Sequence, residues 1–132
     1  MNIRASVINE LINHARAETP IEACGYLAGN DDLITTSFRL KNVDASPEHF
    51  SFEPAEQFAV IRRMRAEGVR LKAVYHSHPA TPARPSQEDI RLANDPSLSY
   101  VIVSLAGAVP DVKSFRIRDG QVEPETLHII ED

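Results

Sequence analysis

The chain has 132 residues, of which 42% are hydrophobic and 25% are charged, and these values suit one compact domain of ordinary globular composition. The formal net charge of −5 gives no electrostatic reason to expect nucleic acid or an anionic membrane surface as a partner. Cys24 is the only cysteine, so no disulfide can form within the chain.

Neither a secretory signal nor a membrane segment is evident in the sequence. Arg4, Glu10 and His14 interrupt the stretch in which the apolar region of a signal peptide would lie. The longest apolar run, around residues 100–109, is half the roughly 20 residues that a membrane helix requires. We therefore expect a cytoplasmic protein with a single domain over residues 1–132.

Hydrophobic spacing and turn residues predict a mixed α/β domain, a single sheet flanked by helices in the order α-β-β-α-β-α-β-β-β. The predicted elements are a helix that ends before Pro20, strands at 24–29 and 33–40, a candidate edge strand at 49–52, a helix from Pro54 to Gly68, a strand at 69–78, a short helix at 86–94, and strands at 100–105, 111–118 and 121–130. Asp119-Gly120 is a strong hairpin signal between the last two strands.

The buried faces of the helices follow from the same spacing. Val7, Leu11 and Ala15 mark the first helix, and its apolar side should face the sheet. The residues expected on the buried faces of the second and third helices are Phe58, Ile61, Met64, Ile90 and Leu92.

Two histidines and one aspartate form a candidate metal site. On a strand, residues i and i+2 project to the same face, so His76 and His78 point together. A proline-rich loop then returns the chain to the next helix, and Asp89 lies in its first turn. Two imidazoles and one carboxylate leave one position of a tetrahedral zinc ion for water, as in catalytic zinc sites. The sequence therefore predicts Zn²⁺ held by His76, His78 and Asp89.

Each part of this pattern also has a purely structural interpretation. A His-x-His pair arises by chance in about 15% of chains with five histidines. Ser86-x-x-Asp89 fits a helix-capping arrangement, with Ser86 as the N-cap and Asp89 near the positive end of the helix dipole. Capping and metal binding are compatible, because a capped helix end is a rigid place to mount a ligand.

The whole motif resembles the signature of the JAMM (MPN+) metalloproteases. That signature is His-x-His, ten residues, then Asp, and here residues 79–88 are the ten, with Ser86 at the expected place. The family's upstream glutamate matches Glu22 in the segment Pro-Ile-Glu-Ala-Cys-Gly-Tyr-Leu-Ala-Gly. The resemblance extends over the whole chain in the order of its elements.

The resemblance implies a role for each matching residue. Zinc would polarise the scissile carbonyl and lower the pKa of its bound water. Glu22 would accept the proton of this water and pass it to the leaving amine, and Ser86 would donate a hydrogen bond to the developing oxyanion. The bond cleaved would be an amide or isopeptide at the C-terminus of a ubiquitin-like protein, and a compact chain like this one resembles the bacterial type that processes sulfur-carrier proteins.

Three other interpretations remain open from the sequence. A RadC-like domain of the same family shares a similar histidine and aspartate stretch but has no peptidase role. A non-catalytic MPN interaction module would use the fold without the metal. A non-haem iron site also has two histidines and a carboxylate, although in a different order along the chain. Cys24 is expected to be a small buried residue rather than a nucleophile, and His14, His49 and His128 have no ligand spacing.

Overall fold

A curled eight-stranded sheet with helices on both faces organises the chain, and the computed structural model describes all residues from Met1 to Asp132. The elements in chain order are β1 (Asn2–Arg4), α1 (Ala5–Glu18), β2 (Cys24–Asn30), β3 (Leu33–Leu40), α2 (Pro54–Glu67), β4 (Arg70–His78), α3 (Gln87–Leu92), β5 (Ser99–Ser104), β6 (Asp111–Arg118), β7 (Gln121–Glu125) and β8 (His128–Ile130). The strand order is β7-β6-β5-β4-β2-β3-β1-β8, and β4 pairs antiparallel with β2 but parallel with β5. None of the three helices is both long and apolar enough to span a membrane.

Helix α1 covers one face of the sheet. Its apolar side packs on the strand residues that point toward it, and together they form a buried cluster of Ile3, Val7, Ile8, Leu11, Ala15, Leu27, Ile34, Ala73, Tyr75, Val101 and Val103. Since side chains alternate along a strand, Ala73 and Tyr75 of β4 face α1 and their neighbours face the other way.

Helices α2 and α3 cover the opposite face and leave a gap between them. A cluster that includes Cys24 packs under α2, and a cluster that includes Ile102 packs beside α3. His76 of β4 pairs with Cys24 of β2 on one side and with Ile102 of β5 on the other. The alternation of β4 therefore places His76 between the two clusters, in the gap between α2 and the start of α3.

The mixed α/β prediction is confirmed, but the structure adds one strand at the start and divides another at the end. The strand predicted at 121–130 is two strands, β7 and β8, on opposite edges of the sheet. Only residues 126 and 127 separate them, and the three Cα–Cα steps from Glu125 to His128 span about 11 Å at most, so the sheet must curl until its edges meet. Two hydrogen bonds hold this junction. The Met1 amino group donates to the Thr126 carbonyl oxygen (2.8 Å), and the His128 N–H donates to the Met1 carbonyl oxygen (2.8 Å).

Some local predictions were wrong. Residues 49–52 form loop rather than an edge strand, and α3 ends at Leu92 and buries no residue fully. Phe58 is 70% exposed and Leu92 is 58% exposed, while Val60 and Met64 form the buried side of α2. The apolar residues of α2 are distributed over several sides of the helix. Helical spacing alone therefore did not identify the side that packs against the sheet.

Gly25 gives a test of how tightly β2 packs against β4. A Cβ atom at this position would collide with the carbonyl oxygen of Phe38 and with the ring of Tyr75. We expect Gly25→Ala to lower the free energy of unfolding by about 1–3 kcal/mol, the usual cost of overpacking a core. Chemical denaturation measures this change. Gly107→Ala is the control, because its Cβ would meet only the Val109 carbonyl oxygen at 3.6 Å; equal effects of both substitutions would contradict the packing argument.

Candidate metal centre

The histidine pair lies at the C-terminal end of β4. Both side chains are nearly fully buried, with 4% of His76 and 5% of His78 exposed to solvent. They lie on the same face of the strand, as the spacing predicts, and the two Nε2 atoms are 3.1 Å apart. Beyond His78 the strand ends, so the pair faces the loop that leads to α3.

A backbone contact orients the ring of His78. Its Nδ1 lies 2.9 Å from the carbonyl oxygen of Pro82. A carbonyl oxygen can only accept, so Nδ1 carries a proton, and Nε2 is the nitrogen that faces the site, where it can bind a metal ion or a second proton. The loop itself is anchored to β5, because the Ser104 hydroxyl donates to the Thr81 carbonyl oxygen at 2.6 Å. A carbonyl acceptor behind the ring is the usual partner of a metal-ligating histidine.

Asp89 enters the site from the first turn of α3. The Asp89 N–H donates to the Ser86 hydroxyl oxygen at 3.0 Å, and the Ser86 N–H donates to Asp89 Oδ2 at 2.9 Å, which is a reciprocal capping box. The same Oδ2 lies 3.1 Å from Nε2 of His76 and 3.1 Å from Nε2 of His78. Burial would raise the pKa of this carboxyl, but the two adjacent imidazoles outweigh burial and keep the pKa well below its usual range.

The three potential ligand atoms form a triangle that suits a metal ion. Each pair of atoms among His76 Nε2, His78 Nε2 and Asp89 Oδ2 is 3.1 Å apart. A tetrahedral ion with bonds of about 2.0–2.1 Å sets its ligands about 3.3–3.4 Å apart, so small side-chain rotations complete the fit. Without a cation or a proton between them, lone pairs this close repel one another. The donor set therefore fits a divalent metal, and these residues form the one such group of His, Cys, Asp and Glu side chains in the structure.

Glu22 lies next to the histidine pair, just before β2 begins. The antiparallel pairing of Cys24 with His76 continues by one bond from the Ser77 N–H to the Ala23 carbonyl oxygen (2.9 Å), which brings Glu22 alongside the end of β4. Glu22 is 2% exposed, and its Oε1 is the only buried side-chain polar atom without a hydrogen-bond partner. Burial raises the pKa of Glu22 to about 8, against the opposing effect of His78. This carboxyl can therefore hold or release a proton near neutral pH.

An aromatic residue that the sequence pattern did not single out completes the wall of the site. Phe50 stacks on His76, with ring centroids 4.8 Å apart and ring planes 29° apart. Phe50 and His76 line a pocket of about 380 Å³ that extends from the site along the sheet beneath α3. The other apolar or aromatic residues that line it are Tyr26, Phe52, Leu71, Val74, Pro85, Leu92, Ala93, Leu98, Tyr100, Ile102 and Ile117.

This arrangement agrees with the comparison to known families. Residues 4–118 match the family described as prokaryotic homologs of the JAB domain. The chain belongs to the prokaryotic JAB family. The match covers both histidines, Asp89, Ser86 and Glu22, so the whole metal centre lies inside the JAB domain.

Relatives of this JAB domain include named peptidases. The CysO-cysteine peptidase of Mycobacterium tuberculosis is 37% identical over 132 residues, which is 98% of this chain and 90% of that protein. A desampylase of Haloferax volcanii is 30% identical over 114 residues, which is 81% of this chain and 82% of that protein. The solution structure of protein DSY2949 from Desulfitobacterium hafniense has a TM-score of 0.92 at 45% identity, and the match covers 99% of this chain and 93% of that one.

The remaining cysteine and histidines lie outside the JAB metal centre. Cys24 is fully buried, as the sequence predicted, and burial raises the pKa of its thiol to about 12, so the thiol stays protonated. His14 is buried on the α1 side and lies 2.7 Å from the Tyr75 hydroxyl. His49 contacts Asp44 and His128 is exposed on β8.

Removal of one ligand tests the metal centre directly. We expect His78→Ala to lower the affinity for a divalent metal at least about 100-fold, since even loss of an outer hydrogen-bond partner costs about 10- to 100-fold. Elemental analysis after equilibration with limiting metal measures the bound fraction. His128→Ala, the same substitution on an exposed strand, should bind like the unmodified protein, and equal retention of metal by both variants would contradict the site.

Proposed function

We propose that this protein is a zinc-dependent peptidase of the JAMM type that cleaves an amide or isopeptide bond at the C-terminus of a ubiquitin-like sulfur-carrier protein. The observation that carries the proposal is the convergence of His76, His78 and Asp89 beside Glu22, whose carboxyl has a buried oxygen without a partner. A buried unpaired carboxylate oxygen is costly, and such groups occur where a reaction needs them. We further propose that residues 1–132 form one domain. The cytoplasmic location of the protein stays a prediction.

His76, His78 and Asp89 would hold the zinc ion. Two imidazole nitrogens and one carboxylate oxygen are the donors of many catalytic zinc sites, which keep a further position open. Zinc bound there would act as a Lewis acid on the scissile carbonyl and lower the pKa of water. The capping box of α3 fixes Asp89, and the Pro82 carbonyl fixes His78, so the ligands are held in place before the ion binds.

Glu22 is proposed as the group that transfers protons. Burial raises its pKa toward neutrality, and a nearby cation would lower the pKa again, so the carboxyl would be ionised when the reaction begins. The carboxylate takes a proton from the attacking water and delivers it to the nitrogen of the leaving group. A group whose pKa lies near the working pH performs both transfers most efficiently.

Ser86 is proposed as the hydrogen-bond donor to the developing oxyanion. Its hydroxyl oxygen accepts from the Asp89 N–H, and its own proton has no acceptor within the protein. This leaves the O–H free to donate to a substrate oxygen. A donor fixed at the place where negative charge develops contributes more to the transition state than to the bound substrate.

The substrate class is supported by the relatives and by the shape of the site. The relatives are named as a CysO-cysteine peptidase and as a desampylase, and these names support cleavage of a ubiquitin-like sulfur-carrier protein. The pocket beside His76 and Phe50 is mostly apolar, with Glu88 and Asp95 at its margin, and suits an extended peptide rather than a nucleic acid. The presence of Glu22, Ser86 and all three ligands supports a peptidase over a metal-free interaction module or a RadC-like role.

Intact-mass measurement tests both reaction and substrate class. The zinc-loaded protein is incubated with ubiquitin-fold proteins of the host that carry an extension after their C-terminal Gly-Gly. We expect the mass to fall by the mass of the extension. Glu22→Gln should lower the cleavage rate at least about 10²–10⁴-fold, because proton transfer is lost, while zinc stays bound.

Glu123→Gln is the matched control, because Glu123 is exposed on β7 and should leave the rate unchanged. Full activity of Glu22→Gln would eliminate Glu22 as the base. Failure of the unmodified protein to shorten any extended ubiquitin-fold protein would eliminate the proposed substrate.

Ser86 allows catalysis to be separated from helix capping. Ser86→Ala should lower kcat about 10²–10³-fold through loss of the oxyanion donor, and it should cost about 1 kcal/mol of stability through loss of the N-cap. Ser86→Gly removes the same hydroxyl, but glycine is a better N-cap than alanine, so this variant should lose only roughly a few tenths of a kcal/mol of stability. Steady-state kinetics and chemical denaturation on both variants measure the two effects. Normal kcat in the glycine variant would mean that Ser86 only caps the helix.

A further inference from the structure

One asparagine side chain binds five backbone groups around the metal centre. The Asn42 Nδ2 donates to the carbonyl oxygens of Glu22 (3.1 Å) and His49 (3.0 Å), with a longer contact to that of Ser46 (3.5 Å). Its Oδ1 accepts from the N–H of Asp44 (3.1 Å) and of Ser51 (3.4 Å). Carbonyls surround the NH₂ group and N–H groups surround the oxygen, so the orientation of the amide is determined.

The hydrogen bond from Asn42 to the Glu22 carbonyl oxygen fixes a residue that makes no hydrogen bonds within the sheet. Strand β2 begins at Cys24, so Glu22 has no partner in the regular ladder. Its N–H donates to the Ser46 carbonyl oxygen at 2.9 Å, and its carbonyl oxygen accepts from Asn42. The next residue is fixed to β4, since the Ala23 N–H donates to the Ser77 hydroxyl oxygen at 2.8 Å. Both backbone groups of Glu22 therefore depend on the loop that Asn42 organises.

The same amide also holds the segment that contacts a metal ligand. His49 and Ser51, whose backbone groups bind Asn42, flank Phe50 in the chain. The Phe50 ring stacks on His76 at a centroid distance of 4.8 Å. One side chain thus connects the proton-transferring carboxyl to the ring that lies against a ligand.

We propose that Asn42 is a positioning residue, which holds Glu22 and Phe50 in fixed positions relative to His76 and His78. This inference rests on the proposed function, because it assigns Asn42 a part in the same hydrolysis. A catalytic carboxyl that moves by about 1 Å can cost about 100-fold in rate. Asn42 lines neither the pocket nor the group of potential metal ligands, so its loss should lower kcat and leave substrate binding and the metal in place.

Two substitutions distinguish the loss of the NH₂ donor of Asn42 from the loss of its whole side chain. Asn42→Asp keeps the size and the Oδ1 acceptor, but it replaces the NH₂ donor with an oxygen that faces the Glu22 and His49 carbonyls. Asn42→Ala removes every contact. Asn30→Asp and Asn30→Ala are the matched controls, because Asn30 also donates to a carbonyl, that of Gly68 at 2.8 Å, but lies at the other end of β2.

The kinetic test uses the zinc-loaded full chain and an extended ubiquitin-fold substrate. We expect both Asn42 variants to lower kcat by about 10- to 100-fold, with KM within about twofold of the unmodified value. The zinc content should stay at that of the unmodified protein. The Asn30 variants should keep both constants.

Amide hydrogen exchange followed by NMR gives a second measurement that needs no activity. In the Asn42 variants the N–H groups of Glu22 and Ser51 should lose protection, while those of the α1 core should keep theirs. The Asn30 variants should leave the Glu22 and Ser51 amides protected. This measurement detects displacement of Glu22 before any substrate is added.

The two measurements distinguish failure of this inference from failure of the proposed function. Unchanged kcat in the Asn42 variants, or unchanged protection of Glu22, would overturn the positioning role. A fall in kcat that is matched by loss of zinc would also overturn it, since Asn42 would then support the metal site as a whole. If the unmodified protein does not cleave the substrate, the proposed function fails, and the exchange data still show whether Asn42 holds Glu22.

Discussion

Electrostatic repulsion among three electron-pair donors is the constraint on which the structure of the site depends. Nε2 of His76, Nε2 of His78 and Oδ2 of Asp89 are each 3.1 Å from the other two. Such a cluster is favourable only around a positive charge, so the protein must hold the donors against their own repulsion. It does so with groups outside the triangle, namely the Pro82 carbonyl behind His78 and the capping box around Asp89.

The sheet provides this rigidity because buried clusters pack against both of its faces around β4. Helix α1 packs on one face, while α2 and α3 divide the other and leave a gap at the end of β4. The gap opens into the pocket that His76 lines, and the buried residues Cys24 and Ile102 lie on either side of His76. The site lies where the two packed clusters separate. The ligands can therefore be buried while the pocket beside them stays open to a substrate.

Residues outside the metal motif surround the three potential ligands and fix their neighbours in place. Glu22 is buried without a partner for Oε1, and Asn42 and the Ser46 carbonyl oxygen hold its backbone, while its carboxyl stays unbound. The carboxyl therefore stays free to exchange a proton while its position is fixed. Phe50 limits the movement of His76 in a similar way, through stacking rather than hydrogen bonding.

The sequence by itself determined most of the helices and strands and the three potential ligands, and only the tertiary structure decided how they are arranged. Alternation along a strand is a local property, so the common direction of His76 and His78 could be predicted, and so could the capping box of Ser86 and Asp89. The placement of β8 beside β1 and the exposure of Phe58 could not be predicted, because each depends on which distant surface meets the element. Asn42 carries no local signal either, since its five backbone contacts exist only after the loop has folded against Glu22.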